Sequence, residues 1–230
     1  MAERAGRRND PTIVELCDLC LADGPAAKPR KKQSGWEADR SNIRRHIVPL
    51  IGRKHLHTLT RADVERFQRD MTQGKSAADI KTGKHGRAIV ERGPGIAARA
   101  TAVLGAILSF TVLRGLRADN PARGVERNKL PKRERVLTQA ESAKLGEALT
   151  TAAQTGMNPF MVAAIRLLLL TGARKSEILS LRPEWIDVKN CCLRLPDSKT
   201  GAKVIPLGAP ALKVLADVPR AAVRARTRNR

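Results

Sequence analysis

Between Leu167 and Leu207 the chain changes its hydrophobic period, and that change narrows the folds open to it. An apolar helical run reaches Leu170, the Thr171-Gly172 turn stops it, and a new helix opens at Arg174-Lys175-Ser176-Glu177-Ile178-Leu179. Ile186-Asp187-Val188, Cys192-Leu193-Arg194-Leu195 and Lys203-Val204-Ile205-Pro206-Leu207 then form short, partly alternating runs separated by turn residues. They predict a small antiparallel sheet, with Pro206 suited to an edge strand. The rest of the chain carries helical spacing, so the expected fold is mainly α with a small antiparallel β-sheet.

Upstream, Pro11 to Ala22 reads as a helix and Gly24 to Lys32 as a basic linker. Trp36, Ile43 and Ile47 share helical spacing, which Pro49-Leu50-Ile51-Gly52 is expected to break. Leu59-Thr60-Arg61-Ala62-Asp63-Val64 has the form of a helix start, with a Thr60 cap, an Asp63 box partner and a Leu59–Val64 staple. Val64, Phe67 and Met71 line its apolar face. Gly74 to Gly95 is polar, basic and glycine-spotted, as a mobile loop or extended arm would be. A second strong helix spans Ile96 to Arg114, ended by Gly115 and by Asn120-Pro121. These elements predict a helical domain over residues 1–128, a linker over 129–136 and a second domain over 137–230. That second domain opens with Leu137-Thr138-Gln139-Ala140-Glu141, another Thr cap with a Glu partner. Asn158-Pro159 begins an almost wholly apolar helix that reads as buried and central.

Composition supplies the partner class. Lys and Arg total 44 against 22 Asp and Glu in 230 residues, a net charge of +22. With 42% apolar residues to build a core, so basic a chain points to a polyanion, most often nucleic acid. Aromatics are only 2%, which argues against single-strand binding by base stacking and favours duplex backbone and shape. The charged start at Met1 lacks the apolar segment of a signal peptide, and no apolar run is long enough to predict a membrane span. The expectation is a cytoplasmic, DNA-associated bacterial protein. Cys17, Cys20, Cys191 and Cys192 read as buried free thiols rather than a metal site, since adjacent cysteines make a poor half of a tetrahedral set. No metal or other cofactor is expected. His46, His55, His57 and His85 read as solvated surface residues.

Two cations carry the candidate chemistry. Arg174 lies in the first turn after Thr171-Gly172, where a guanidinium beside helix N-terminal amides suits a phosphate, and Glu177 is spaced to hold it. Lys199 occupies the turn Asp197-Ser198-Lys199-Thr200-Gly201, from which an ammonium reaches a DNA groove. An ordinary surface Arg–Glu pair and a solvated hairpin lysine are the plain alternatives. The run Thr171 to Ser176 lacks the glycines of a P-loop, so nucleotide hydrolysis is rejected. Candidate DNA contacts in the helical domain are Arg44, Arg45, Lys81, Lys84, Arg87, Arg114 and Arg117.

These motifs together resemble the phage integrase family of tyrosine recombinases. The likeness rests on Leu169 to Leu181, on Ile186-Asp187, and on Ser198-Lys199-Thr200-Gly201 ahead of Val204-Ile205-Pro206-Leu207. His46 to Gly52 with Leu59 to Val64, and Leu113 to Pro121, resemble the core-DNA-binding domain. The resemblance covers about Thr12 to Val218. It implies a helical core-DNA-binding domain and a mixed α/β catalytic domain that clamp duplex DNA, with no cofactor. It also allows assembly with further copies or with a full-length recombinase. In the family a tyrosine attacks the phosphodiester, two arginines and a histidine-type residue stabilise the charge, and a lysine protonates the leaving oxygen. Arg174 matches the first arginine and Lys199 the lysine. The sequence contains no tyrosine and no histidine after His85. The expectation is therefore a C-terminally truncated catalytic domain, with a frameshift as its suggested origin, that is inactive alone. A non-catalytic DNA-binding accessory protein and an inert product stay open as alternatives.

Overall fold

The computed structural model describes residues 10–219 except 82, 84, 85, 91, 129–131, 133 and 200. The chain divides into two compact units, Met1–Arg133 and Glu134–Arg230. The first is helical with a β-ribbon; the second packs helices against a three-stranded sheet.

In the first unit, α1 (Ile13–Ala27) starts at a Thr12 cap boxed with Glu15. Backbone bonds from Ile13 to Lys54 and from Leu56 to Pro11, each 2.9 Å, pin its entry. The helix takes in Gly24–Ala27 of the segment expected to be a linker, and residues 28–32 join it to the next helix. The reason is tertiary: Gly24 lies so close to the Trp36 ring that a Cβ there would come within 2.3 Å of it. α2 (Gln33–Asn42) carries Trp36 and continues through a π turn, Ile43–Ile47, into α3 (Val48–Ile51). Pro49 therefore does not break the helix. The wider turn comes just ahead of it, and proline in a first turn has no lost bond to replace. The π turn also turns His46 inward, correcting its surface assignment: it is 5% exposed, with Nδ1 2.8 Å from Ser76 Oγ. Burial, and then the nearby Arg45 charge, pull its pKa down.

α4 (Arg61–Thr72) has the Thr60–Asp63 box that its sequence predicts. The Asp63 carboxyl also takes a 2.8 Å bond from Lys54. That bond, followed by those from Thr60, holds its pKa near 2. The segment expected to be a loop or arm contains an antiparallel ribbon, β1 (Ala78–Lys81) and β2 (Arg87–Val90). α5 (Pro94–Leu113) crosses the core and buries Ala97, Ala100, Leu104, Ile107 and Leu108 against Ile13, Leu16, Ile47, Leu59, Val64, Phe67 and Met71. By length and composition α5 is apolar enough to cross a membrane. The expectation from unbroken apolar runs misses it, because Arg99 and small polar residues interrupt the run. Here it serves as the core helix of the unit.

The second unit begins with α6 (Gln139–Gln154) behind its Thr138–Glu141 box. α7 (Pro159–Thr171) follows an Asn158 cap that accepts from the Phe160 amide. It is not a fully buried helix. Val162, Ala163 and Leu167 are buried, whereas Met161, Ile165, Leu169 and Leu170 are 37–58% exposed. Its described neighbours cover one side only. After α8 (Lys175–Leu179), a short 3-10 turn leads into the sheet β3 (Ile186–Asp187), β4 (Cys192–Ser198), β5 (Gly201–Pro206), all antiparallel in that order. Pro206 ends the edge strand β5, opposite Cys192. Leu193, Leu195, Ile205 and Leu207 meet Leu167, Ala173 and Ile178 in the core, which α9 (Ala209–Asp217) closes with Ala211. Cys17 and Cys192 are buried and Cys20 is half-buried, but Cys191 is exposed. It stands in a left-handed turn conformation (φ 48°), with its Sγ 3.7 Å from Val188 O.

Candidate phosphate site and nucleic-acid interface

The α7–α8 junction sets the position of Arg174. Gly172 takes the left-handed C-cap conformation (φ 61°), which a side chain would strain, and its N–H reaches Leu168 O at 3.1 Å. Thr171 Oγ1 donates to Leu167 O at 2.6 Å and accepts from the Ala173 amide at 3.2 Å, so the turn is tied on both sides. Arg174 then caps α8 in extended geometry.

Glu177 is the hub. Its side chain is 4% exposed and accepts three donors: the Arg174 amide at 2.9 Å, Arg174 Nη1 at 2.8 Å and Lys203 Nζ at 3.2 Å. The Arg174 backbone bond leads in holding the Glu177 pKa down to about 2, with the guanidinium and Lys203 adding to it. The expected Arg174–Glu177 contact is present, but the Arg174 amide is spent on Glu177 rather than left for an anion. One buried carboxylate thus orients two cations whose own side chains stay 43% and 35% exposed. Such a cluster keeps a net positive charge and fixed donors facing solvent, the arrangement that a phosphate oxygen requires.

Lys199 stands exposed in the tight turn between β4 and β5, with Ser198 paired to Gly201 across it. The lysine tied to Glu177 is Lys203. The sequence held a signal for it. Strand alternation puts Lys203 on the side of Ile205 and Leu207, both buried, so its ammonium needs a carboxylate partner at the edge of the core.

The basic candidates of the helical unit separate by environment. Arg44 is exposed and Arg45 half-buried on the π turn. Lys81 and Arg87 are exposed and face each other across the ribbon, where Asp79 binds Arg87. Lys84 lies outside the described residues. Arg114 stacks 4.8 Å from the Phe110 ring and pairs with Asp23 at 2.8 Å. Arg117 serves the fold instead of facing out. Its guanidinium, 13% exposed, donates to Leu56 O, to Leu59 O at 2.8 Å and to Asp119 at 2.7 Å, closing the loop before α4.

Residues 24–72 match the family model of the phage integrase N-terminal SAM-like domain. The prophage integrase IntF of Escherichia coli K12 is 42% identical over 69 residues, which cover 29% of this chain and 15% of IntF. Among solved structures, a lambda integrase dimer bound to a COC′ core site superposes with a TM-score of 0.67 at 17% identity, over 94% of this chain and 56% of that one. The Tn1549 transposon integrase in complex with circular intermediate DNA gives 0.61 at 15% identity, over 90% and 64%. The fold is thus that of an integrase, carried by a chain that spans little more than half of the lambda protein. In its SAM-like segment and its prophage relative the chain is similar to the phage integrases, over residues 24–72 and over 69 residues respectively.

Proposed function

We propose that this chain binds double-stranded DNA as a cytoplasmic integrase-family protein and that, acting alone, it forms no covalent DNA intermediate. The observation that carries the reading is the Arg174–Glu177–Lys203 cluster, in a fold whose solved relatives are held on DNA, within a sequence that has no tyrosine. Arg174 and Lys199 are the part of the strand-cleavage set that this sequence carries, Glu177 positions Arg174, and Arg44 and Arg45 contact the backbone. No metal or cofactor takes part. Lambda integrase is known as a dimer on a core site and as a tetramer on a Holliday junction. Those assemblies support a role beside further copies, or beside a full-length recombinase that supplies the attacking tyrosine.

Gel-shift titration over a salt series tests the binding. Log affinity should fall linearly with log salt, by about 0.9 for each phosphate neutralised. Arg174→Ala should weaken binding roughly tenfold, the loss expected for one charged hydrogen bond. A nicked suicide substrate tests the chemistry: the chain alone should leave no DNA–protein adduct that survives denaturation. An adduct would overturn the second half of the proposal, and salt-insensitive or absent binding the first.

A further inference from the structure

The β1–β2 ribbon is not accounted for by backbone attraction alone. Its register pairs Lys81 with Arg87 and Asp79 with Ile89, so these four residues share one face, and all four are exposed. Ile89 is 61% exposed, while Val90 beside it is buried at the ribbon's root. Placing two cations directly across a strand pair costs stability. Here Asp79 relieves that cost: it accepts from Arg87 Nε at 2.7 Å and again from Nη2, gripping the guanidinium bidentately. The planar fork is thereby aligned along the ribbon face before any ligand arrives.

We propose that this ribbon enters the major groove of duplex DNA, with Arg87 and Ile89 facing base edges and Lys81 a flanking phosphate. The proposal rests on the DNA-binding reading above and deepens it from backbone attraction to base choice. The dimensions agree, since a two-stranded ribbon fits a groove about 12 Å wide. So does the chemistry. A guanidinium fork matches guanine O6 and N7, and an exposed isoleucine meets a thymine methyl. Asp79 gives the face its selectivity. Near a phosphate it cancels Arg87 and adds repulsion, so Arg87 contributes little to non-specific binding. At a guanine, the guanidinium exchanges the carboxylate for two acceptors in the same geometry.

The test uses the full chain. Duplexes selected from a random pool are probed by methylation interference at guanine N7, which lies in the major groove. For the native chain, methylation of particular guanines should block binding. Arg87→Ala should lose the interference at one of them and lose roughly five- to a hundredfold in preference for the selected duplex, with non-specific affinity little changed. Arg87→Lys keeps the charge without the fork. It should fold, keep the salt slope and lose the same guanine. Asp79→Ala should raise non-specific affinity and narrow the preference. If both Arg87 variants bind with the native interference pattern and preference, the ribbon proposal fails while DNA binding stands. If the native chain binds no duplex, the underlying reading fails and the proposal with it.

Discussion

Glu177 is a carboxylate held by one backbone donor and two cations, and its behaviour with pH follows from that. Its pKa is about 2 in the folded chain against an ordinary 4.5. A depressed acid stabilises the fold fully above its unfolded pKa, and the contribution is lost as pH falls through the window between the two values. The second unit should therefore weaken from about pH 4.5 toward pH 2, and Glu177→Gln should flatten that part of the profile while lowering stability at neutral pH. Trp185 packs against the core of this unit and Trp36 lies in the other unit, so tryptophan fluorescence in a Trp36→Phe background reads the second unit alone. Urea midpoints at a series of pH values then give the slope. An unchanged slope in Glu177→Gln would show that the acid sensitivity lies elsewhere, with Asp187 the next candidate: Asn190 and then Arg194 hold its pKa near 2.

The contact of α1 with α2 turns on one missing side chain. Gly24 abuts the buried Trp36 ring, over which Lys31 Nζ sits 3.9 Å from the centroid. Gly24→Ala should destabilise the first unit by about 1–3 kcal/mol, the usual cost of forcing extra volume into a packed site. A thermal melt would show a drop of several degrees, and a melt equal to the native one would mean that the ring moves aside freely. The same contact explains what could be read from the sequence. The Thr60–Asp63 and Thr138–Glu141 starts were legible because a capping box is complete within four residues. The β4–β5 strands were legible because one face alternates. Gly24–Ala27 read as linker, because what makes it helical is a ring that packs from another helix. The ribbon read as a mobile loop or extended arm without paired strands, because each strand is four residues long and one face is polar. Lys203 shares strand parity with the buried Ile205 and Leu207, which shows in the sequence once the strand is drawn, whereas Lys199 lies in the turn before it. That Glu177 is the partner of Lys203 does not show, since 26 residues separate them.

At the scale of the whole molecule, the two cores share no residue. The first gathers Ile13, Ile47, Phe67, Leu104 and their neighbours, the second Leu167, Leu193, Ile205 and theirs. Each unit also pairs charges of its own, Lys31–Asp39 in the first and Lys203–Glu177 in the second. A unit that buries its own apolar residues and pairs its own charges needs no neighbour to fold. Residues 10–128 expressed alone should accordingly unfold cooperatively, with a midpoint matching the Trp36 signal of a full chain carrying Trp185→Phe. Their cores also differ in completeness. The first unit buries Ala97, Ala100, Leu104, Ile107 and Leu108 along one side of α5, whereas the second leaves Met161, Ile165 and Leu169 of α7 37–58% exposed, an apolar row of the kind that promotes aggregation. The isolated first unit should therefore stay soluble at concentrations where the full chain precipitates, and its melt should reverse on cooling where the full chain's does not. Should the fragment unfold well below the Trp36 signal of the full chain, the second unit would be supporting the first, and the independence argued from cores and charges would be wrong.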